Sequence, residues 1–142
     1  MKKTMNKFFA AITMLALVAV LLLPASANAA YVPYTYSSPG NPVNLYVGDW
    51  SFPVLAPGDT HYFKFQNQTG VTRNLTFIVQ SPAGVNYVPF SISGSGILSV
   101  NPVQTEFGLY RYEYVILPNA VLDIQVKSFS GYSSSSYFIV TQ

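Results

Sequence analysis

The sequence has 142 residues, of which 50% are hydrophobic, 8% are charged and none is cysteine. Its formal net charge of +2 comes from Lys2, Lys3 and Lys7, because residues 30–142 carry four basic and five acidic side chains, a net charge of −1. The missing basic patch excludes a nucleic-acid-binding protein and disfavours an anionic membrane surface, and the missing cysteine excludes a disulfide framework and an acylated cysteine anchor.

The first 29 residues have the three parts of a secretory signal peptide. The N-terminal lysines precede an apolar run, Phe8–Leu23, that only Thr13 interrupts. Small residues around position 29 then match the A-x-A rule, so we expect cleavage after Ala29, with cleavage after Ala27 as the alternative. An uncleaved membrane anchor is the competing interpretation, but this run is shorter than the ~20 residues that a span needs.

Residues 30–42 predict an extended arm. Pro33, Pro39 and Pro42 stand there among tyrosines and serines. Proline fixes φ and lacks a backbone donor, which disfavours an internal strand. Such an arm can add as a strand to a neighbour's open sheet edge.

Residues 43–142 predict one all-β domain. Short runs alternate between apolar and polar residues, as in Thr60–Gln66, where His61, Phe63 and Phe65 share one face. Turn signals recur every 8–12 residues, and no stretch has apolar positions at helical spacing. We therefore expect an antiparallel β-sandwich or jelly roll of about eight or nine short strands.

A tyrosine stripe is the candidate binding site. We expect 109–126 to form two strands joined by a turn at Pro118-Asn119, with Tyr110, Tyr112 and Tyr114 on one face of the first strand. Flat tyrosine rings can stack on sugars or pack against a protein. The alternative is a half-buried sheet face that a loop or the arm covers.

Two segments of the chain resemble each other at an offset of 61 residues. Residues 53–80 align without a gap on residues 114–141, so that Pro57 meets Pro118 and Gly70 meets Gly131. The similarity has two alternative explanations. Either the domain consists of two related halves, or β-rich sequences resemble one another because they use few residue types.

The sequence offers no catalytic or metal-binding set. The single histidine, His61, lies on an apolar face, and no G-x-S-x-G motif or cluster of closely spaced acids occurs. Glu113 stands two residues from Arg111 on the same predicted face, which favours a local ion pair. The sequons at Asn67 and Asn74 are expected to be incidental. We predict no enzyme activity, no metal and no cofactor.

These observations favour a non-catalytic protein that is secreted or held non-covalently at the cell surface. A low-charge, tyrosine-rich surface suits a structural, assembly or adhesion role, as in a surface layer, fibre or matrix. Its partner would be itself or another surface protein, with no membrane contact after signal cleavage. The alternative is a small carbohydrate-binding module that binds polysaccharide through exposed tyrosines.

Overall fold

The computed structural model describes residues 29–142, and the signal peptide predicted for residues 1–29 lies outside them except for Ala29. The described part is all-β, as predicted, and contains no helix that could cross a membrane. Its seven strands are β1 (Val43–Leu45), β2 (Trp50–Ser51), β3 (Thr60–Gln66), β4 (Arg73–Gln80), β5 (Asn86–Glu106), β6 (Leu109–Ser130) and β7 (Phe138–Thr141).

Strict alternation of side chains explains why β3 forms where the sequence predicts it, and β4 follows the same pattern. His61, Phe63 and Phe65 of β3 are buried, and the residues between them are half-buried. Leu75, Phe77 and Val79 of β4 are buried in the same way. Each strand therefore turns one apolar face to the interior.

Two strands are much longer than predicted. The sequence predicts separate short strands between residues 85 and 107, but β5 runs without a break for 21 residues. The register of β5 against β6 shifts at five places, including Pro89/Ser91 and Ser95/Ile97. The sequence predicts strand ends at proline and glycine residues in this segment, but bulges at the register shifts let the strand continue past them. The described residues therefore contain seven strands where eight or nine were expected.

The predicted hairpin at Pro118-Asn119 is wrong. Strand β6 continues through these residues and pairs with β5 on both sides of them. Its other edge pairs with β4 along 109–116 and with β3 along 121–127. Asn119 has a positive φ of 60°, which turns the strand at a corner without reversing it.

A buried asparagine fixes this corner. The Asn67 side chain is fully buried, and its Nδ2 donates to the carbonyls of Leu117 and Val71 at 2.9 Å each. Its Oδ1 accepts from the backbone and hydroxyl of Thr69, and its backbone pairs with Asn119 and Ala120. Because the amide is enclosed and fully bonded, this sequon cannot accept a glycan in the folded chain.

The strands form one mixed sheet in the order β1-β3-β6-β4-β7-β2, with β5 added on the free edge of β6. Strand β1 runs parallel to β3, which corrects the expectation of a purely antiparallel sheet. The end strands β1 and β2 are consecutive in the chain, and Gly48 between them donates to the carbonyl of Thr141. Residues 43–51 thus join the two ends of the sheet, which is nearly closed around its core.

Every strand except β2 contributes side chains to the hydrophobic core, which contains no disulfide because the chain has no cysteine. Its fully buried large side chains are Leu45, Leu55, Phe63, Phe65, Leu75, Phe77, Tyr87, Ile116, Leu122, Ile124, Tyr137 and Ile139. Each such side chain contributes roughly 1.5–3 kcal/mol when it leaves water.

Residues 30–42, the arm of the sequence prediction, pack on their own chain and include a tight turn in which Ser38 and Asn41 each donate to the carbonyl of the other. Val32 donates to the carbonyl of Trp50 at 2.8 Å, and Trp50 donates back to the carbonyl of Ala30 at 3.1 Å. Further along, Tyr34 stacks on His61, and the Ser37 hydroxyl accepts from the backbone of Tyr62.

The 61-residue offset reappears in the strand pairing. Phe63 of β3 pairs with Ile124 of β6, which is its own counterpart 61 residues later. The same holds for the second pair of counterpart strands. Ile78 pairs with Val140 and Val79 with Ile139, so β4 pairs antiparallel with β7, the strand 61 residues later. Backbone conformations agree as well: φ is 84° at Gly58 and 60° at Asn119, and 73° at Gly70 and 71° at Gly131.

Candidate binding surfaces

The predicted tyrosine stripe faces the interior of the fold. Tyr114 is 3% exposed, and Tyr110 and Tyr112 are half-buried against the core. On the neighbouring strand β4, Phe77 pairs with Tyr112 and Leu75 pairs with Tyr114. The side chains of Phe77 and Leu75 are buried. Burial raises the pKa of Tyr114 to about 12 and also raises the pKa of Tyr112. A ligand would reach only the parts of Tyr110 and Tyr112 that remain open.

The opposite face of β6 carries the local ion pair expected from the sequence. Arg111 Nη2 donates to Glu113 Oε1 at 3.1 Å, and both side chains are 44% exposed. Such an exposed pair contributes about 1 kcal/mol or less. It is a surface feature of the sheet.

His61 is a structural residue in a closed aromatic setting. It is 4% exposed, its Nδ1 lies 3.0 Å from the Tyr137 hydroxyl, and the Tyr34 ring stacks on it at 4.1 Å between centroids. Burial lowers the pKa of His61 to about 4, against a smaller opposing effect of Asp59. The imidazole is therefore neutral at pH 7. Within residues 29–142, no three His, Asp or Glu side chains are close enough to bind a metal ion.

A row of four neighbouring aromatic rings, of which Tyr31 and Phe52 are exposed and the other two half-buried, was not predicted from the sequence. The rings follow the order Tyr31, Trp50, Phe52 and Phe138, with centroid separations of 4.9, 5.4 and 5.2 Å. Tyr31 is 50% exposed and Phe52 45%. The arm supplies Tyr31 through its bridge to Trp50, and pairing of β2 with β7 brings Phe138 close. These long-range pairings leave no local signal in the sequence.

Strand β5 offers a second surface, because only one of its edges is paired within the described residues. From Asn86 to Thr105 it has no charged residue, and Glu106 is the only one in the strand. Four of its apolar side chains are between 46% and 59% exposed: Phe90, Leu98, Val100 and Val103. Lysine and other charges commonly protect such an edge against pairing with another chain, and here they are missing.

Comparison with known proteins identifies the fold alone. No protein-family model matches the chain, and no curated protein matches it. Among solved structures, it is similar to the pre-peptidase C-terminal domain of a collagenase from Bacillus anthracis. That similarity covers 75% of this chain and 100% of the other, with a TM-score of 0.51 and 11% sequence identity. The fold is therefore one that a β domain accompanying a peptidase also uses.

Proposed function

We propose that this protein is a non-catalytic β-sandwich domain, exported from the cell, that acts by assembly or adhesion at or outside the cell surface. The observation that carries the proposal is the long, nearly uncharged free edge of β5. The predicted signal peptide and the collagenase-associated domain of similar fold support an extracellular place. The interior position of His61 and of the tyrosine stripe supports a role without catalysis.

In this proposal the nearly closed sheet is a sandwich of two layers. One layer contains β1, β3 and residues 121–127 of β6, and the other contains β2, β7, β4 and residues 109–116 of β6. Contact between His61 on β3 and Tyr137 beside β7 supports this arrangement, because these residues belong to different layers. The corner at Asn119 takes β6 from one layer to the other.

Assembly would proceed by antiparallel pairing of β5 with β5 of a second copy. Unpaired backbone N–H and C=O groups on an edge strand are a ready template for another strand. Two copies brought together in this way meet no like charges between Asn86 and Thr105. The net charge of −1 for residues 30–142 opposes association only weakly.

Size measurement of the exported, processed protein tests the proposal. Light scattering after gel filtration should show a mass that grows with protein concentration. Substituting Ser91→Lys and Ser93→Lys should give a monomer, because both side chains lie opposite outward-facing residues of β6 and place charge along the free edge. The matched control is Asn74→Lys with Thr76→Lys, which adds the same charge to β4, a strand that pairs with β6 along its whole length and with β7 from Phe77 onward.

Mixing provides the decisive comparison. A Ser91→Glu, Ser93→Glu variant should also be monomeric, and an equimolar mixture with the lysine variant should associate again. A monomer at every wild-type concentration would contradict assembly. Assembly that the edge lysines leave unchanged would contradict the β5 edge as the contact surface.

The aromatic row favours a second candidate function, binding of a polysaccharide by a single domain. Tyr31 and Phe52 present exposed ring area, Trp50 between them is half-buried, and aromatic rings stack on the apolar faces of sugars. The planes meet at 46° and 72°, so only one ring at a time could lie flat on a sugar. Retention on insoluble polysaccharides should then fall with Phe52→Ala and remain with Tyr112→Ala. Retention that both variants keep would remove this candidate.

A further inference from the structure

A buried carboxylate receives the backbone nitrogen at which we expect the mature chain to begin. Asp49 is 4% exposed, and its Oδ1 accepts a hydrogen bond from the backbone nitrogen of Ala30 at 3.2 Å. Its Oδ2 accepts from the backbone nitrogen of Tyr46 at 2.8 Å. Among residues 29–142, the ion pairs are Lys64 with Asp123 and Arg111 with Glu113, so no lysine or arginine neutralises Asp49 there.

Ala30 is held in place on both sides of its α-carbon. Its nitrogen faces Asp49, and its carbonyl accepts from the backbone nitrogen of Trp50 at 3.1 Å. Two residues further along the arm, the backbone nitrogen of Val32 donates a hydrogen bond to the carbonyl of Trp50. Ala29 and Ala30 are nevertheless exposed, so a peptidase can reach the bond between them.

We propose that Asp49 is a built-in receptor for the amino terminus that signal-peptide cleavage creates. Hydrolysis of the Ala29–Ala30 bond consumes one water, leaves a carboxylate on Ala29 and gives Ala30 an α-amino group that takes up a proton at pH 7. The amide donor in front of Asp49 then becomes an ammonium, and a hydrogen bond becomes an ion pair. The ion pair stabilises the folded domain because the Asp49 carboxylate is buried. A charge removed from water is costly unless an opposite charge is bonded to it.

Of the two predicted cleavage sites, only the one after Ala29 gives Asp49 its ion pair. Cleavage after Ala29 places the ammonium on Ala30 and against Asp49. Cleavage after Ala27 would place the charge two residues earlier and leave an amide at Ala30. The uncleaved precursor lacks the ion pair as well, so processing adds stability to the folded domain after export. This argument rests on the proposed export of the chain.

The experiment combines removal of the terminal charge with removal of the Asp49 charge. The chain released by an export host is first analysed by mass spectrometry, which should show Ala30 as its first residue. Its α-amino group is then acetylated selectively in the unfolded state and the protein is refolded. An acetyl group keeps the N–H and removes the charge, so it reproduces the amide of the precursor.

Acetylation should raise the equilibrium constant of unfolding about tenfold in the wild type, which corresponds to about 1.4 kcal/mol. The same modification should have no effect in Asp49→Asn, and its full effect in the control Asp123→Asn, whose carboxylate pairs with Lys64 at the surface. Equal effects in Asp49→Asn and in the wild type would overturn the inference.

A second measurement covers the case in which Asp49→Asn does not fold. The ion pair raises the pKa of the α-amino group, so its stabilisation is present below the ordinary pKa of about 8 and lost as the pH rises through the raised value. Between pH 7 and 10, the free-amine protein should therefore lose more stability than the acetylated one. Parallel curves would overturn the inference. An uncleaved chain would contradict export itself, whereas correct cleavage without this coupling contradicts the receptor alone.

Discussion

Protonation of His61 should destabilise the domain in mildly acidic solution. Burial lowers the pKa of His61 from 6.5 to about 4, so the folded state favours the neutral imidazole. Above pH 6.5 both states are mostly neutral and the fold has its full stability. As the pH falls from 6.5 towards 4, the unfolded chain binds a proton that the folded chain does not, and stability is lost over this range.

The size of the stability loss depends on how far the pH falls between the two pKa values of His61, about 6.5 in the unfolded chain and about 4 in the folded one. Each pH unit spent between the two pKa values costs about 1.4 kcal/mol, so acidification from pH 7 to 5 should remove about 2 kcal/mol. His61 is the chain's only histidine, the side chain whose ordinary pKa lies inside this pH range. Urea denaturation at several pH values measures the loss.

The control is His61→Gln, which keeps an amide near the Tyr137 hydroxyl and cannot titrate. Its stability should change little between pH 7 and 5. Because His61 is the only histidine, its imidazole proton signals can also be followed directly by NMR in the folded protein. Parallel stability curves for the two proteins, or an imidazole midpoint near 6.5, would refute the reasoning.

Three further substitutions test the corner, the tyrosine stripe and the edge strand by urea denaturation. Asn67→Ala should cost about 3 kcal/mol because a fully buried side chain loses four hydrogen bonds, whereas the exposed Asn74→Ala should stay within about 0.5 kcal/mol; similar losses would contradict the corner role. Tyr112→Ala should cost about 2–3 kcal/mol as a half-buried ring leaves the core, and an unchanged midpoint would mean that the ring is dispensable there. Gly94→Ala should cost more than about 2 kcal/mol, since a Cβ would overlap the carbonyl of Val121; a neutral result would show that β5 can move away from β6.

Local patterns predicted the all-β class and the inward faces of several strands. Alternation alone placed Phe63 and Phe65 on the apolar face of β3, and both are buried. This works because side-chain direction in a strand depends only on the parity of the residue number. The local ion pair of the 109–116 segment was predictable for the same reason.

Features that depend on distant partners were not predictable. Pro118-Asn119 has the residues of a turn, and only pairing with β5 shows that the strand continues through it. Asn67 contacts the carbonyl of Leu117, 50 residues away, and nothing in its sequon indicates that role. Likewise, the parallel placement of β1 depends on how the chain closes the sheet. The assembly role and the bound partner remain predictions that the proposed experiments address.

The symmetric pairing around Phe63 has a consequence for the ancestry of the fold. Each segment pairs antiparallel with its own counterpart, about Phe63 and Ile124 in one place and about Ile78–Val79 and Ile139–Val140 in the other. Two separate chains of half the length, related by a two-fold axis, would make these same contacts as an isologous homodimer. Gene duplication and fusion would convert that homodimer into a single chain without changing the pairing.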